Sequence, residues 1–377
     1  MKHTLRLMRI AGIEIGLHYS WLFIFAVISV SLAAGLFPQM YPEWDPATYW
    51  ITGVLAALLL FASVLIHELA HSLVAKARGI PVASITLFLL GGVSNLEEEP
   101  QEPKVEFVMA IVGPLSSLVV AAVFWGLLQF VQDTRSPLAA TLGYLALINT
   151  VLAVFNLLPG YPLDGGRVLR SILWARTGNL VRATNMAATV GQLMGWGLIA
   201  FGVLQVLAGN VGGLWLALIG WFLSSSADAS RRQLTMSEQL KGIRVTEAIR
   251  TRPESIGPDT SVAELVNNVF RKEQRRAVPV CSDDKVLGIV TITDVREVPQ
   301  ERWSLTPVRE IMTREPLYSV SSRDDMNTAM TLITKHDINQ LLVIDNNRCT
   351  GIVNRADILN YLQLSQDLGL GRRGRQA

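Results

Sequence analysis

Through the first 230 residues, apolar positions gather into runs of 18 or more, interrupted by short polar clusters. About 20 residues at 1.5 Å rise cross a bilayer's hydrocarbon core, so runs of this length predict membrane-spanning helices. Six spans are expected, at 17–36, 49–76, 105–131, 139–158, 184–207 and 211–228. The first lacks a clear small-x-small cleavage site and further spans follow it, which argues against a removed signal peptide. Beyond residue 231 the pattern changes to that of an ordinary soluble domain rich in Arg, Asp and Glu. Within 81–96, Val82, Ile85, Thr86 and Phe88 have strand character.

Charge orients the spans. Lys2, Arg6 and Arg9 precede the first, Lys76, Arg78 and Lys104 follow the second, and Arg167, Arg170, Arg176 and Arg182 follow the fourth. Arg231 and Arg232 follow the sixth, while the opposite loops carry only Arg135. Positive residues favour the cytoplasmic side, so a multi-pass cell-membrane protein with both termini cytoplasmic is expected. The formal net charge of +2 gives no reason to expect a nucleic-acid partner. The two cysteines, Cys281 and Cys349, are too few for a disulfide framework, and a cytoplasmic compartment would keep them reduced.

The chemistry begins inside the second span, at His67-Glu68-Leu69-Ala70-His71. Positions i and i+4 share one helical face, so both imidazoles can grip a single ion, and Glu68 is placed to act as general base on a water. From the chain's His and Glu frequencies, chance would supply on the order of 0.003 such matches. Ionisable groups inside a hydrophobic helix are costly and mark function by default; the bland alternative is a hydrogen-bonded patch between packed helices.

Catalytic zinc takes three protein ligands, so a third must be sought. Asn156-Leu157-Leu158-Pro159-Gly160-Tyr161-Pro162-Leu163-Asp164-Gly165-Gly166 cannot form a regular helix, with two prolines and three glycines. Broken backbone at membrane depth survives only where protein or a water-filled cavity satisfies it, and such a break can present Asp164 to the second span. A plain cytoplasmic loop is the competing reading. Both spans run toward the cytoplasm, and His67 lies nine residues before Lys76, about 13 Å of helix, so the two segments can meet.

These motifs resemble the site-2 protease family of intramembrane zinc metalloproteases. Phe88-Leu89-Leu90-Gly91-Gly92 and Gly113-Pro114 add to the likeness. The resemblance implies one Zn2+ per chain held by His67, His71 and Asp164, with Glu68 activating water. It implies that Asn156 positions the substrate carbonyl or oxyanion, against the simpler reading of a helix-packing amide. The stretch 81–96 would be a membrane-associated hairpin whose edge receives an unwound substrate strand. Substrates would be single-span membrane proteins, such as an anti-sigma factor or a transcription-regulator precursor, cut in regulated intramembrane proteolysis. The loops between spans are too short for an inserted PDZ domain.

The soluble part repeats itself. Val245-Thr246-Glu247-Ala248-Ile249 pairs with Val308-Arg309-Glu310-Ile311-Met312, and Gly288-Ile289-Val290-Thr291-Ile292-Thr293-Asp294 pairs with Gly351-Ile352-Val353-Asn354-Arg355-Ala356-Asp357. This resembles a tandem cystathionine-beta-synthase-type (CBS) pair, which implies an ATP- or AMP-type ligand. Hydroxyl and carboxylate at a strand end can meet ribose and phosphate, which selects Thr291 and Asp294 in the first copy; Asp357 remains in the second, where Asn354 replaces the hydroxyl. A homodimerisation or docking platform is the alternative role. The fold class expected is a polytopic α-helical membrane part with a β-hairpin, followed by a soluble α/β CBS pair. Its divisions are 1–230, a linker at 231–243, CBS copies at 244–303 and 304–365, and a disordered basic tail at 366–377. The rival readings are a CBS-gated transporter or channel and a non-cleaving pseudoprotease.

Overall fold

The computed structural model describes residues 4–89, 91–96, 99–247, 255–272, 276–282, 285–346 and 348–368. Leu90 of the glycine-rich motif, Ala248 and Ile249 of the repeat, and the tail from 369 lie outside the described residues. The chain divides into two compact units, Met1–Arg232 and Gln233–Ala377.

The first unit opens with a hairpin that the apolar-run reading did not foresee: β1 (Thr4–Ile10) pairs antiparallel with β2 (Ile13–His18). Ala11 and Gly12 both take positive φ, 50° and 81°, as a two-residue type I′ turn requires. The expected hairpin at 81–96 is present as β3 (Val82–Phe88) and β4 (Gly91–Leu96), and β3 runs parallel to β2. The result is a four-stranded sheet in the order β1-β2-β3-β4, with β4 at an edge. Buried Ile13, Ile15 and Ile85 face Leu65 and Leu69, which flank His67-Glu68 one helical turn apart. Apolar packing thus seats the sheet on the turn that carries the candidate chemistry.

Among the described residues, five helices are long and apolar enough to cross a membrane: α1 (Ser20–Met40), α2 (Pro46–Ala77), α3 (Pro103–Leu128), α4 (Pro137–Asn156) and α6 (Leu180–Leu207). Between α4 and α6 lies the short α5 (Asp164–Thr177). The sixth expected span is the first part of α7 (Gly213–Leu240), where Ser224, Ser225, Ser226 and Asp228 dilute the apolar run below that standard. Starts are written locally. Asp45 caps α2 through Ala47 N and Thr48 N at 3.0 and 3.2 Å, with Pro46 at the first helical position. Helix α3 is central, packed against α2, α4 and α5.

In the second unit β5 (Ala277–Ser282) pairs with β6 (Lys285–Thr291), which runs into α8 (Ile292–Arg296). In the second copy β7 (Ser319–Val320), α9 (Met326–Lys335), β8 (Gln340–Asp345), β9 (Arg348–Asn354) and α10 (Arg355–Asp367) repeat the scheme. The copies exchange their leading segments. Val245 is fully buried in the core of the second copy, with Met326, Ile333 and Leu341. Val308 is buried in the core of the first, with Val262, Leu265 and Val278.

Candidate metal centre

Helix α2 sets the first two groups. His67 and His71 lie on its buried face, 4 % and 8 % exposed, with ring centroids 4.8 Å apart and planes at 79°. Each ring is held through Nδ1 by α3: His71 Nδ1 donates to the Met109 carbonyl at 2.5 Å, and His67 Nδ1 pairs with Ser117 Oγ at 2.9 Å. A carbonyl oxygen only accepts, so His71 carries its proton on Nδ1 and presents a lone pair at Nε2. The two Nε2 atoms stand 3.2 Å apart.

The third group arrives from the break after α4. Gly165 and Gly166 have no room for a Cβ against the backbone of Leu157, Leu158, Gly160 and Tyr161, and Gly191 of α6 presses equally on Tyr161. The turn closes because these glycines allow backbone to meet backbone. It delivers Asp164 as the first residue of α5, with Oδ2 3.1 Å from His67 Nε2 and 3.2 Å from His71 Nε2. The ligand atoms of His67, His71 and Asp164 all lie within 4.8 Å of one another.

This arrangement fits a zinc ion. Tetrahedral zinc with ligands at about 2.0 Å needs donor atoms roughly 3.3 Å apart, close to the edges observed. Lone pairs facing one another at such distances repel unless a cation or a shared proton lies among them. Space is kept as well: a Cβ on Gly113 would collide with His71 Nε2 and come within 2.8 Å of His67 Nε2. Both imidazoles also carry the outer hydrogen bonds typical of metal-binding histidines.

Glu68 turns toward the sheet. Ser94 Oγ of β4 donates to Glu68 Oε2 at 2.9 Å and lies 3.0 Å from Ser72 Oγ. Gly92 allows β4 to pass close by, since a Cβ there would meet Glu68 Cγ at 2.5 Å. Glu68 Oε1 has no hydrogen bond among the described residues, so one carboxylate oxygen is oriented and the other is free. Asn156 ends α4, half-buried, and its side chain makes no hydrogen bond among the described residues. The structure therefore brings His67, His71 and Asp164 together without bonding Asn156 to them. Thr291 and Asp294 close a capping box on α8, with Asp294 Oδ2 accepting from Thr291 N at 2.7 Å and from Thr291 Oγ1 at 2.8 Å. Asp357 accepts from Asn354 N at 3.3 Å in the corresponding place.

Of the residues that hold the centre in place, the sequence pointed to Gly113 through the family resemblance and passed over Glu106, Met109 and Ser117. All four share one face of α3 by helical spacing. Glu106, a charge within an expected span, was the signal that could have led to them.

Comparison with known proteins gives the family. The chain matches the model of Peptidase family M50 over residues 55–135 and 131–198, and that of the CBS domain over 245–301 and 308–364. It is 36% identical over 374 residues to sll0528 of Synechocystis sp., a protein named provisionally as a zinc metalloprotease; the alignment covers 97% of each chain. The zinc metalloprotease MJ0392 of Methanocaldococcus jannaschii is 29% identical over 374 residues, covering 98% of this chain and 99% of that one. The solved site-2 protease from Methanocaldococcus jannaschii aligns with TM-score 0.43 and 31% identity, covering 60% of this chain and 94% of that one.

Proposed function

The chain belongs to peptidase family M50, and from that membership we propose that it is an intramembrane-cleaving zinc metalloendopeptidase with His67, His71 and Asp164 as the ligands of one zinc ion. The observation that carries this reading is the triangle of side-chain atoms with edges of 3.1–3.2 Å, two corners on one turn of a membrane-length helix and the third brought by Asp164 from α5. A zinc ion held there supplies Lewis acidity and brings the ionisation of water toward neutral pH. Glu68 takes the proton through its free oxygen and passes it to the departing amine nitrogen. Ser94 and β4 keep that carboxylate aimed, and Met109 and Ser117 keep the imidazoles aimed. Asn156 donates from its carboxamide to the carbonyl oxygen under attack. The edge of β4 offers backbone groups to a substrate segment that has unwound, because a helical amide is shielded by its own hydrogen bonds.

The substrates are membrane proteins cut within or beside a transmembrane segment, with single-span anti-sigma factors or transcription-regulator precursors as the class to test first. Both termini are cytoplasmic. The CBS pair adjusts the rate by binding an adenine nucleotide beside Thr291 and Asp294, and also joins two chains; ATP titration against a cleavage assay in bilayers, run beside a sizing measurement, tests both roles.

Replacing Glu68 with Gln tests the core of the reading. Glu68→Gln is expected to retain one zinc per chain while cleavage of a labelled membrane substrate falls roughly 100- to 10,000-fold. Undiminished cleavage would remove Glu68 from the mechanism, and a parent protein without zinc would end the ligand assignment.

A further inference from the structure

One buried charge cluster beside the centre has no part in the chemistry. Glu106 of α3 is fully buried, and Arg170 of α5 is 3 % exposed. Arg170 Nε donates to Glu106 Oε1 at 2.6 Å, a second guanidinium nitrogen pairs with the same oxygen, and Arg167 Nε approaches it at 3.8 Å. The satisfaction is incomplete: Glu106 Oε2 and Arg167 Nε are buried without a hydrogen-bond partner among the described residues. Arg170 also stacks its guanidinium over the Tyr161 ring, 4.9 Å from the centroid.

Buried ion pairs are poor stabilisers. Desolvation offsets the attraction, and apolar side chains of similar volume are often as good or better. A pair that leaves one carboxylate oxygen unsatisfied is poorer still. What this pair supplies is position. Tyr161 lies three residues before Asp164 and Arg170 six residues after it, so one guanidinium grips both flanks of the Asp164 turn. Its anchor, Glu106, lies three residues before Met109, whose carbonyl orients His71, on the helix whose Ser117 orients His67. Helix α3 thereby registers all three candidate ligands.

We infer that Glu106 and Arg170 are positioning residues that set the Asp164 carboxylate against the two imidazoles, and so tune metal affinity. The inference rests on the ligand reading above. Its test uses the full chain in lipid nanodiscs, with zinc affinity measured by chelator competition and thermal unfolding measured on metal-free protein. The double variant Glu106→Leu/Arg170→Met removes both charges while filling their volume. Expected is a metal-free transition close to that of the parent, with zinc affinity lowered about 10- to 100-fold. Arg170→Lys keeps the charge but loses the fork and the stacking, and should fall between the two. The visible bands of cobalt-loaded protein should change in the same order.

Zinc affinity of the double variant within twofold of the parent overturns the inference, as does an affinity loss matched by an equal loss of metal-free stability. Should the double variant fail to fold, Arg170→Lys decides, and parental affinity there overturns the inference too. A parent chain that binds no zinc refutes the ligand assignment itself, an outcome distinct from these.

Discussion

At the scale of single residues, the centre depends as much on what is missing as on what is present. Gly113 is a poor helix residue, about 1 kcal/mol worse than Ala in a helix interior. Its place in α3 is explained by the two Nε2 atoms that a methyl group would strike. Gly113→Ala is therefore expected to separate two measurements. Overpacking against the two held imidazoles outweighs the gain in helix propensity, so metal-free thermal stability should fall modestly, by about 1 kcal/mol, while zinc affinity drops by at least tenfold, read by chelator competition. A second residue sets an acid limit in the CBS pair. Hydrogen bonds from Ser322, Ser321 and Thr350 hold the Asp345 carboxyl down at about 2. A carboxylate lowered in the folded state contributes stability that is fully present above its ordinary value of about 3.9 and is lost as pH falls toward 2. Unfolding midpoints of the second copy, measured from pH 5 to pH 2, should fall in that window, and Asp345→Asn should flatten the fall.

At the scale of elements, some features were legible and others were not. Helices α1 to α4 and α6 announced themselves because a long apolar run has one stable form in a bilayer. The β3–β4 hairpin was expected from the family resemblance, and the β-branched and aromatic content of β3 is consistent with it. The N-terminal hairpin was not foreseen although Ile13 and Ile15 alternate and Ala11-Gly12 supplies the turn, because strands of seven and six residues leave a weaker periodic signal than the long apolar run that follows them. Helix α7 is the mixed case: the apolar run at 211–228 forms the first part of a longer, increasingly polar helix. The two imidazoles were legible because i, i+4 neighbours meet on any helix. Ser94, Met109 and Ser117 were not, since no local rule says which strand or helix a given face will touch.

At the scale of the whole molecule, the CBS copies cannot be cut apart as their repeat suggests. Val245 opens the first copy in sequence, yet its N–H donates to Asp324 O at 2.9 Å and its side chain fills the core of the second. Val245→Ala should destabilise the second copy by about 2 kcal/mol. Hydrogen exchange should show lost protection in β8 and β9 ahead of β5 and β6, and the reverse order would contradict the exchange of segments. The membrane unit teaches the same lesson. Run length, the His67–His71 spacing, the glycine-proline break and the 60-residue repeat are local properties, and local sterics, helical periodicity and transfer from water suffice to read them from sequence alone. The meeting of Asp164 with histidines more than ninety residues away is different in kind. It was decided by α3, which packs α2 and α5 onto one face through a carbonyl, a hydroxyl and a buried ion pair, and such long-range packing follows from the sum of contacts in the folded chain and from no segment of it alone.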